Sequence, residues 1–203
     1  MVLEAARERN ARVVFGGSFR VYGDELTSQT VDEDVPYGKV GDLSHLSKMY
    51  VEQLARMLDV PFVSVRLGVT YGLSPIMKTS PAFMTVPNLF CQRAAQGQPL
   101  QVLEDRPIAF IHVDDAAAAL LASANGQCRF GAVNAAPEVA TVGQVARLVQ
   151  RLMQDRGGSV QIEGAASSEA GFRVTSRLAP FTPRHTLADG LSDVLDLFLH
   201  AKL

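Results

Sequence analysis

A strand, an amphipathic helix and a second strand follow one another near the start of this chain, and this order constrains the fold most. Residues 12–15 form a short apolar run with β-branched residues that ends at Gly16 and Gly17, which predicts a buried strand. A second apolar run covers residues 61–69. Between them, apolar residues recur at helical spacing: Leu43, Leu46, Tyr50, Leu54 and Met57. Because strands joined through a helix pair in parallel, we predict an α/β fold built on a parallel sheet.

Length and composition exclude several classes of protein. The 203 residues are 47% hydrophobic and 20% charged, which is typical of a globular protein rather than a disordered one. The formal net charge of −2 gives no basic surface for nucleic acid. No apolar run is long enough to cross a bilayer, and the charged N-terminus lacks a signal-peptide core. We therefore expect no nucleic-acid partner and no membrane.

The two cysteines indicate the redox setting. Cys91 and Cys128 stand far apart in the sequence and belong to no disulfide or metal-binding motif. Each is therefore predicted to be a buried free thiol. We expect no metal site, and we expect the protein to be cytoplasmic.

Short elements dominate the rest of the chain. Thr141 with Gln144, and Thr186 with Asp189, have the spacing of capping boxes and predict the start of two helices. Residues 72–85 are rich in Gly, Pro, Ser and Thr and predict a loop. The other predicted elements are helices over 87–95, 116–124, 142–153 and 187–200 and strands over 100–103 and 109–113.

Several motifs lie at the ends of these elements. The first strand leads into Gly16–Ser18 and then Val21–Gly23, and the following helix opens with Ser44–Lys48. Later segments read Arg66–Gly72 and Phe110–Asp115. In this order the motifs resemble the extended short-chain dehydrogenase/reductase family, the NAD(P)-dependent sugar-nucleotide epimerases and dehydratases. The resemblance covers nearly the whole chain, but only the later part of the family pattern.

The resemblance implies a Rossmann-like sheet and a set of functional residues. Ser18 matches the family serine that binds the substrate hydroxyl. Lys48 matches the lysine that lowers the pKa of a catalytic tyrosine and holds the nicotinamide ribose. These two are the predicted catalytic residues, and Gly16, Gly17, Lys48 and Gly68 are the predicted contacts to NAD or NADP.

The family's catalytic tyrosine is missing. The position four residues before Lys48 holds Ser44, whose hydroxyl has far too high a pKa to replace a phenol by this mechanism. Ser44 is therefore expected to be a helix cap or an exposed residue of the first turn. Tyr37 and Tyr50 could stand in, although a loop anchor and a core position are the simpler interpretations. His45 could also titrate near neutrality, but it lies about a quarter-turn from Ser44.

The substrate-binding pattern also departs from the family. Thr85, Asn88 and Arg106 are the predicted substrate contacts. Val69 stands where many relatives have asparagine, and Ile108 stands where nucleotide-sugar enzymes have the arginine that pairs with the diphosphate. Because a bidentate phosphate clamp depends on position, Arg106 two residues earlier is a doubtful substitute.

The glycine-rich loop that holds the cofactor pyrophosphate in the family is also absent from this pattern. We therefore expect an N-terminally truncated Rossmann-like domain over residues 1–72. Residues 73–203 are expected to form a small mixed α/β substrate lobe that interleaves with the last strands of the sheet. The strand at 12–15 is then expected to have an unpaired edge.

Two functions follow from the resemblance and its departures. The first is an NAD(P)-dependent epimerase/dehydratase-like oxidoreductase that acts on a sugar nucleotide or a related hydroxyl or carbonyl substrate, impaired or incomplete as it stands. The second is a catalytically silent binding or assembly module. The expected partners are a small-molecule substrate and either a second copy of the chain or a complementing N-terminal chain.

Overall fold

The computed structural model describes residues 1–23, 25–26, 29–78, 80–126, 130–164, 171–178 and 181–200. The helices are α1 (Val2–Glu8), α2 (Leu43–Met57), α3 (Val86–Ala95), α4 (Val113–Ala124), α5 (Val142–Asp155) and α6 (Leu187–His200). The strands are β1 (Val13–Ser18), β2 (Thr30–Val31), β3 (Phe62–Leu67), β4 (Val69–Tyr71), β5 (Leu100–Val102), β6 (Pro107–His112), β7 (Phe130–Ala135), β8 (Glu138–Thr141), β9 (Ile162–Gly164) and β10 (Arg173–Val174). None of the helices among these residues is long and apolar enough to cross a membrane.

The chain forms two compact units, each assembled from three separate segments. The first unit combines residues 1–68, 114–137 and 171–183. The second combines residues 69–113, 138–170 and 184–203.

A parallel sheet forms the centre of the first unit. Its strand order is β1-β3-β7, and Gly16 pairs with Val65, which pairs with Val133. The predicted α/β fold with a parallel sheet is therefore confirmed. β7 was not predicted, because Gly131 and Asn134 interrupt its apolar pattern. β1 lies at one edge of this sheet, as expected for a strand with an unpaired side.

The apolar stripe predicted to bury α2 faces outward instead. Leu43, Tyr50 and Met57 are 84%, 62% and 82% exposed, so the interpretation of Tyr50 as a core residue was wrong. The opposite face of α2 buries His45 and Glu52 together with Ala55. The stripe has the right spacing for a helix, but the sheet contacts the polar side of that helix.

The second unit has a mixed sheet and its own hydrophobic core. β4 and β6 pair in parallel, whereas β6 and β8 pair antiparallel. Buried apolar residues from α3, α5 and α6 pack with these strands. Both capping boxes are confirmed: the Thr141 hydroxyl accepts from the Gln144 amide at 3.1 Å, and the Thr186 hydroxyl accepts from the Asp189 amide at 3.2 Å. The start of each helix is therefore fixed locally.

Candidate functional site

The carboxyl end of β1 carries three of the predicted site residues. A Cβ atom at Gly16 would meet nothing within 4 Å, so the strand is open on that side. A Cβ at Gly17 would overlap the Ser64 hydroxyl of β3. Gly17 is therefore required by the packing of β1 against β3, whereas Gly16 leaves room for a bound group.

Ser18 ends β1 and starts a short 3₁₀ turn over Phe19–Tyr22. Its hydroxyl oxygen accepts from the Arg20 amide at 3.2 Å, and the residue is half-buried. A serine oxygen that accepts one hydrogen bond still has its own proton to donate. Ser18 is thus held by the turn and keeps one donor.

Lys48 reaches the same end of β1 from the second turn of α2. Its Nζ donates to the Gly16 carbonyl oxygen at 2.9 Å and lies 5.0 Å from the centre of the Phe15 ring. The structure therefore brings Lys48 and Gly16 together across 32 residues of sequence. Gly68 is buried after β3, where its amide donates to the Ala135 carbonyl at 2.9 Å.

The first turn of α2 is capped by Asp42. The Asp42 carboxylate accepts from the His45 amide at 2.8 Å and forms an ion pair with Arg20 at 2.9 Å. Ser44 is exposed and lies inside the first turn, so of its two expected roles the cap belongs to Asp42. The His45 ring is buried, and its Nδ1 accepts from the Gly41 amide at 3.1 Å. Nε2 therefore carries the proton of the neutral ring, and it has no hydrogen-bond partner among the described residues.

Sequence reasoning missed a buried ion pair beneath α2. The Glu52 carboxylate accepts from the Arg66 guanidinium at 2.7 and 3.2 Å and from the Ser64 hydroxyl at 2.6 Å. Burial raises the pKa of Glu52, but the hydrogen bonds and charge of Arg66, with smaller contributions from Ser64 and Tyr37, outweigh it and leave the pKa below its usual value. Burial lowers the pKa of Arg66, and the Glu52 contacts outweigh it, so the pKa of Arg66 is raised. No signal in the sequence indicated this pair, because the apolar periodicity placed Glu52 on the face of α2 that was expected to be exposed.

Both tyrosines beside this pair are fully engaged. The Tyr37 hydroxyl donates to Glu52 at 2.7 Å, and burial together with that hydrogen bond raises the pKa of Tyr37 to about 12. The Tyr22 hydroxyl accepts from Arg66 at 2.6 Å and donates to Asn134 at 2.8 Å; its pKa is raised, mainly by burial. Neither phenol is therefore ready to act as a base near neutral pH, and Tyr37 is the loop anchor that the simpler interpretation predicted.

Two predicted substrate contacts meet in the second unit. The Asn88 side chain accepts from the Gly72 amide at 3.2 Å and donates to the Gly72 carbonyl at 3.1 Å. The Thr85 hydroxyl donates to the Thr70 carbonyl at 3.1 Å. Gly72 has φ +110°, which favours glycine. Both side chains therefore hold the end of β4, and they border a cavity of about 220 Å³.

Arg106 lies apart from that cavity, in the turn before β6. Its guanidinium faces the Glu104 carboxylate at 3.5 Å; Glu104 is exposed, whereas Arg106 is half-buried. Ile108, in β6, packs against the core of the second unit. Cys91 is a buried free thiol, as predicted, and burial raises its pKa. Cys128 lies outside the described residues.

Solved structures with the same fold are epimerases and dehydratases. UDP-glucose 4-epimerase of Thermotoga maritima, solved with UDP-glucose, is 17% identical with a TM-score of 0.74 over 97% of this chain and 66% of that one. The Thermus thermophilus UDP-glucose 4-epimerase complex with NAD is 21% identical, with a TM-score of 0.73 over 98% of this chain and 68% of that one. The dTDP-glucose 4,6-dehydratase of Bacillus anthracis in complex with NAD is 18% identical, with a TM-score of 0.76 over 97% of this chain and 64% of that one.

The chain therefore spans about two thirds of the length of these proteins. No curated protein sequence matches it. The sequence model of the NAD dependent epimerase/dehydratase family matches residues 1–135, which is most of the chain. This chain belongs to the NAD dependent epimerase/dehydratase family.

Proposed function

We propose that this protein is an NAD(P)-dependent oxidoreductase that acts on a hydroxyl or carbonyl substrate, with weakened proton transfer. The observation that carries the proposal is the convergence of Lys48 on the open carboxyl end of β1, 2.9 Å from the Gly16 carbonyl. Ser18 follows two residues later with a proton to donate. Solved relatives with this fold contain NAD and sugar nucleotides.

The described residues fit one end of a nicotinamide cofactor. Lys48 would donate to the ribose, and the open side of Gly16 leaves space for the ring. When bound, the nicotinamide ring accepts or gives a hydride. Gly16 and Gly17 lead into a 3₁₀ turn rather than a long helix, so this turn does not form a pyrophosphate loop. The cofactor contacts of residues 1–72, and a substrate lobe over residues 73–203 that interleaves with the last strands of the sheet, are both parts of this proposal.

Proton transfer is the weak part of the site. Ser18 would hold the substrate oxygen, and the Lys48 ammonium would favour negative charge near it. Ser44 supplies no phenol, and the Tyr37 phenol donates to Glu52. We therefore expect the chain to bind the cofactor but to turn over substrate slowly.

A nucleotide titration tests the proposal. NAD, NADH, NADP and NADPH are added to the purified chain, and binding is followed by nicotinamide fluorescence and by the melting temperature. A ligand at about 100 times its Kd stabilises the native state by about 2.7 kcal/mol, so saturation raises the melting temperature. Lys48→Met should remove most of this shift. Lys39→Met is the matched control, because Lys39 is exposed and lies outside the site.

The outcomes separate the two candidate functions. Binding that Lys48→Met weakens and Lys39→Met preserves supports the oxidoreductase. A folded sample that binds none of the four nucleotides contradicts it and favours a catalytically silent binding or assembly module.

The exposed stripe of α2 favours an assembly role. Its apolar residues are spaced by three and four, the pattern of a seam between two helices. Three of them, Leu43, Tyr50 and Met57, are more than 60% exposed. We propose that this stripe joins two copies of the chain, and a complementing chain along the unpaired edge of β1 is the alternative. The buried free thiol of Cys91 suits a reducing compartment such as the cytoplasm.

A further inference from the structure

The cavity of the second unit has a mainly apolar lining. It lies between the end of β4, the start of α3 and the loop that joins them, and its volume is about 220 Å³. The apolar side chains that line it are Tyr71, Ile76, Met77, Phe83, Met84 and Val113. Met77 and Met84 also pack against the hydrophobic core, so the floor of the cavity is continuous with that core.

Two of these side chains are unusually exposed. Ile76 is 87% exposed and Phe83 is 71% exposed, both on the loop at the cavity mouth. Exposed apolar side chains grouped beside a cavity mark ligand-binding grooves more often than isolated ones do. Methionines such as Met84 can adapt their shape to an apolar guest.

Two polar side chains and one sulfur atom at the cavity make hydrogen bonds to the backbone. The Asn88 side-chain oxygen accepts from the Gly72 amide, and its side-chain nitrogen donates to the Gly72 carbonyl. Thr85 donates to the Thr70 carbonyl, and the Met77 sulfur accepts from the Ser74 amide at 3.3 Å. The lining can therefore offer a ligand a few neutral hydrogen bonds at most, which suits a single hydroxyl or carbonyl group.

Charge at the cavity is equally sparse. Among the described residues, the lining contains one cation, the exposed Lys78, and no arginine. A lysine is a point charge and cannot give a diphosphate the paired, planar hydrogen bonds of an arginine. Arg106 is absent from the lining and faces Glu104. The described part of the lining therefore lacks the arginine that would clamp a nucleoside diphosphate.

We infer that this cavity binds a neutral, largely apolar ketone or alcohol rather than a nucleoside diphosphate sugar. The inference rests on the proposed function and narrows its substrate class. The apolar lining supplies the affinity by removing ligand surface from water. The neutral polar edge orients one oxygen atom.

Direct binding tests this inference without turnover. 2-Tetralone, a neutral apolar ketone, and UDP-glucose are each titrated into the chain by calorimetry, with saturation-transfer NMR to report contact. Both titrations are repeated with NADH present. We expect saturable binding of 2-tetralone, and binding of UDP-glucose at least tenfold weaker.

Matched variants locate the binding. Phe83→Ala removes an exposed aromatic contact and should weaken 2-tetralone binding about tenfold without affecting the fold. Leu121→Ala is the control, because Leu121 is 71% exposed on α4, outside the cavity lining. The inference is wrong if UDP-glucose binds as tightly as 2-tetralone, if neither binds, or if Phe83→Ala and Leu121→Ala have equal effects.

Binding of 2-tetralone and binding of nicotinamide nucleotides are measured separately, so either proposal can fail without the other. Specific binding of 2-tetralone by a chain that binds no nicotinamide nucleotide would overturn the oxidoreductase and keep the cavity as a site for apolar molecules. Nucleotide binding that depends on Lys48, together with tight binding of UDP-glucose, would keep the oxidoreductase and overturn the substrate class.

Discussion

At the scale of single residues, the fate of the tyrosines decides what chemistry is available. Tyr37 lies only seven residues before Ser44 in sequence, which made it a candidate replacement for the missing phenol. Its hydroxyl instead donates to Glu52, fifteen residues away. A carboxylate acceptor holds the proton on the phenol, the opposite of what a catalytic phenolate needs.

Tyr37 should therefore ionise only at very alkaline pH. Its pKa is raised to about 12 in the folded chain against an ordinary value of 10.0. Stability that depends on this proton is complete below about pH 10 and is lost as the pH rises towards about 12. We expect tyrosinate absorbance to show a late step, to which Tyr22 also contributes because its pKa is raised, and we expect Tyr37→Phe to reduce the amplitude of that step.

Tyr50→Phe is the control, because Tyr50 is exposed on α2. That variant should leave the late step in place. A smaller late step in Tyr50→Phe, or an undiminished one in Tyr37→Phe, would show that the assignment is wrong.

At the scale of elements, a buried ion pair joins α2 to the sheet. Glu52 and Arg66 are 2% and 6% exposed and join α2 to β3. Folding removes both ions from water, and each compensates the desolvation cost of the other. Loss of either partner therefore lowers the stability of the folded chain. The outward apolar stripe adds nothing to this contact.

Removing one partner should be costly. Glu52→Gln leaves the buried charge of Arg66 without a carboxylate partner, which costs about 3–5 kcal/mol in the free energy of unfolding. Glu104→Gln breaks the exposed pair with Arg106 and should cost less than about 1 kcal/mol. Urea unfolding measures both values.

A second variant covers the case in which Glu52→Gln does not fold. Replacing both partners, as Glu52→Leu with Arg66→Met, removes the charges together and should restore part of the lost stability. The gain is partial because the Ser64 and Tyr37 hydroxyls still lose their acceptor. Equal costs for Glu52→Gln and Glu104→Gln would contradict this account of α2.

At the scale of the whole molecule, the outward apolar stripe of α2 is the surface through which we expect two copies of the chain to associate. A second copy of the chain would cover Leu46 and Tyr50, which are 46% and 62% exposed, so each would contribute about half of the 1.5–3 kcal/mol that burying a fully exposed side chain gives. We expect sedimentation to show a dimer. Leu46→Glu with Tyr50→Glu should raise its Kd by about 100-fold or more.

Leu121→Glu places the same charge on an exposed apolar residue of α4 and should leave the dimer intact. The same sedimentation experiment measures it. A wild-type chain that stays monomeric at every concentration would refute the proposed interface.

The sequence by itself determined the features that depend on local order. Alternation of strands and helix predicted the parallel pairing of β1 with β3, and hydroxyl and acceptor residues three apart predicted the starts of α5 and α6. The motifs around Ser18 and Lys48 predicted two side chains at one end of a strand. The helix starts depend on residues three apart, and the strand pairing and the motifs depend on the order of segments along the chain, so a linear pattern records them.

Only the tertiary structure decided which face of α2 is buried. The apolar periodicity of that helix indicates a stripe but not what packs against it, and here the sheet provides Arg66 and Ser64 for Glu52 instead of apolar partners. The sequence also did not predict that β7 pairs with β3, or that the Asn88 side chain binds the Gly72 backbone. In each case the partner is distant in sequence, and folding selects the arrangement in which the buried polar groups are paired.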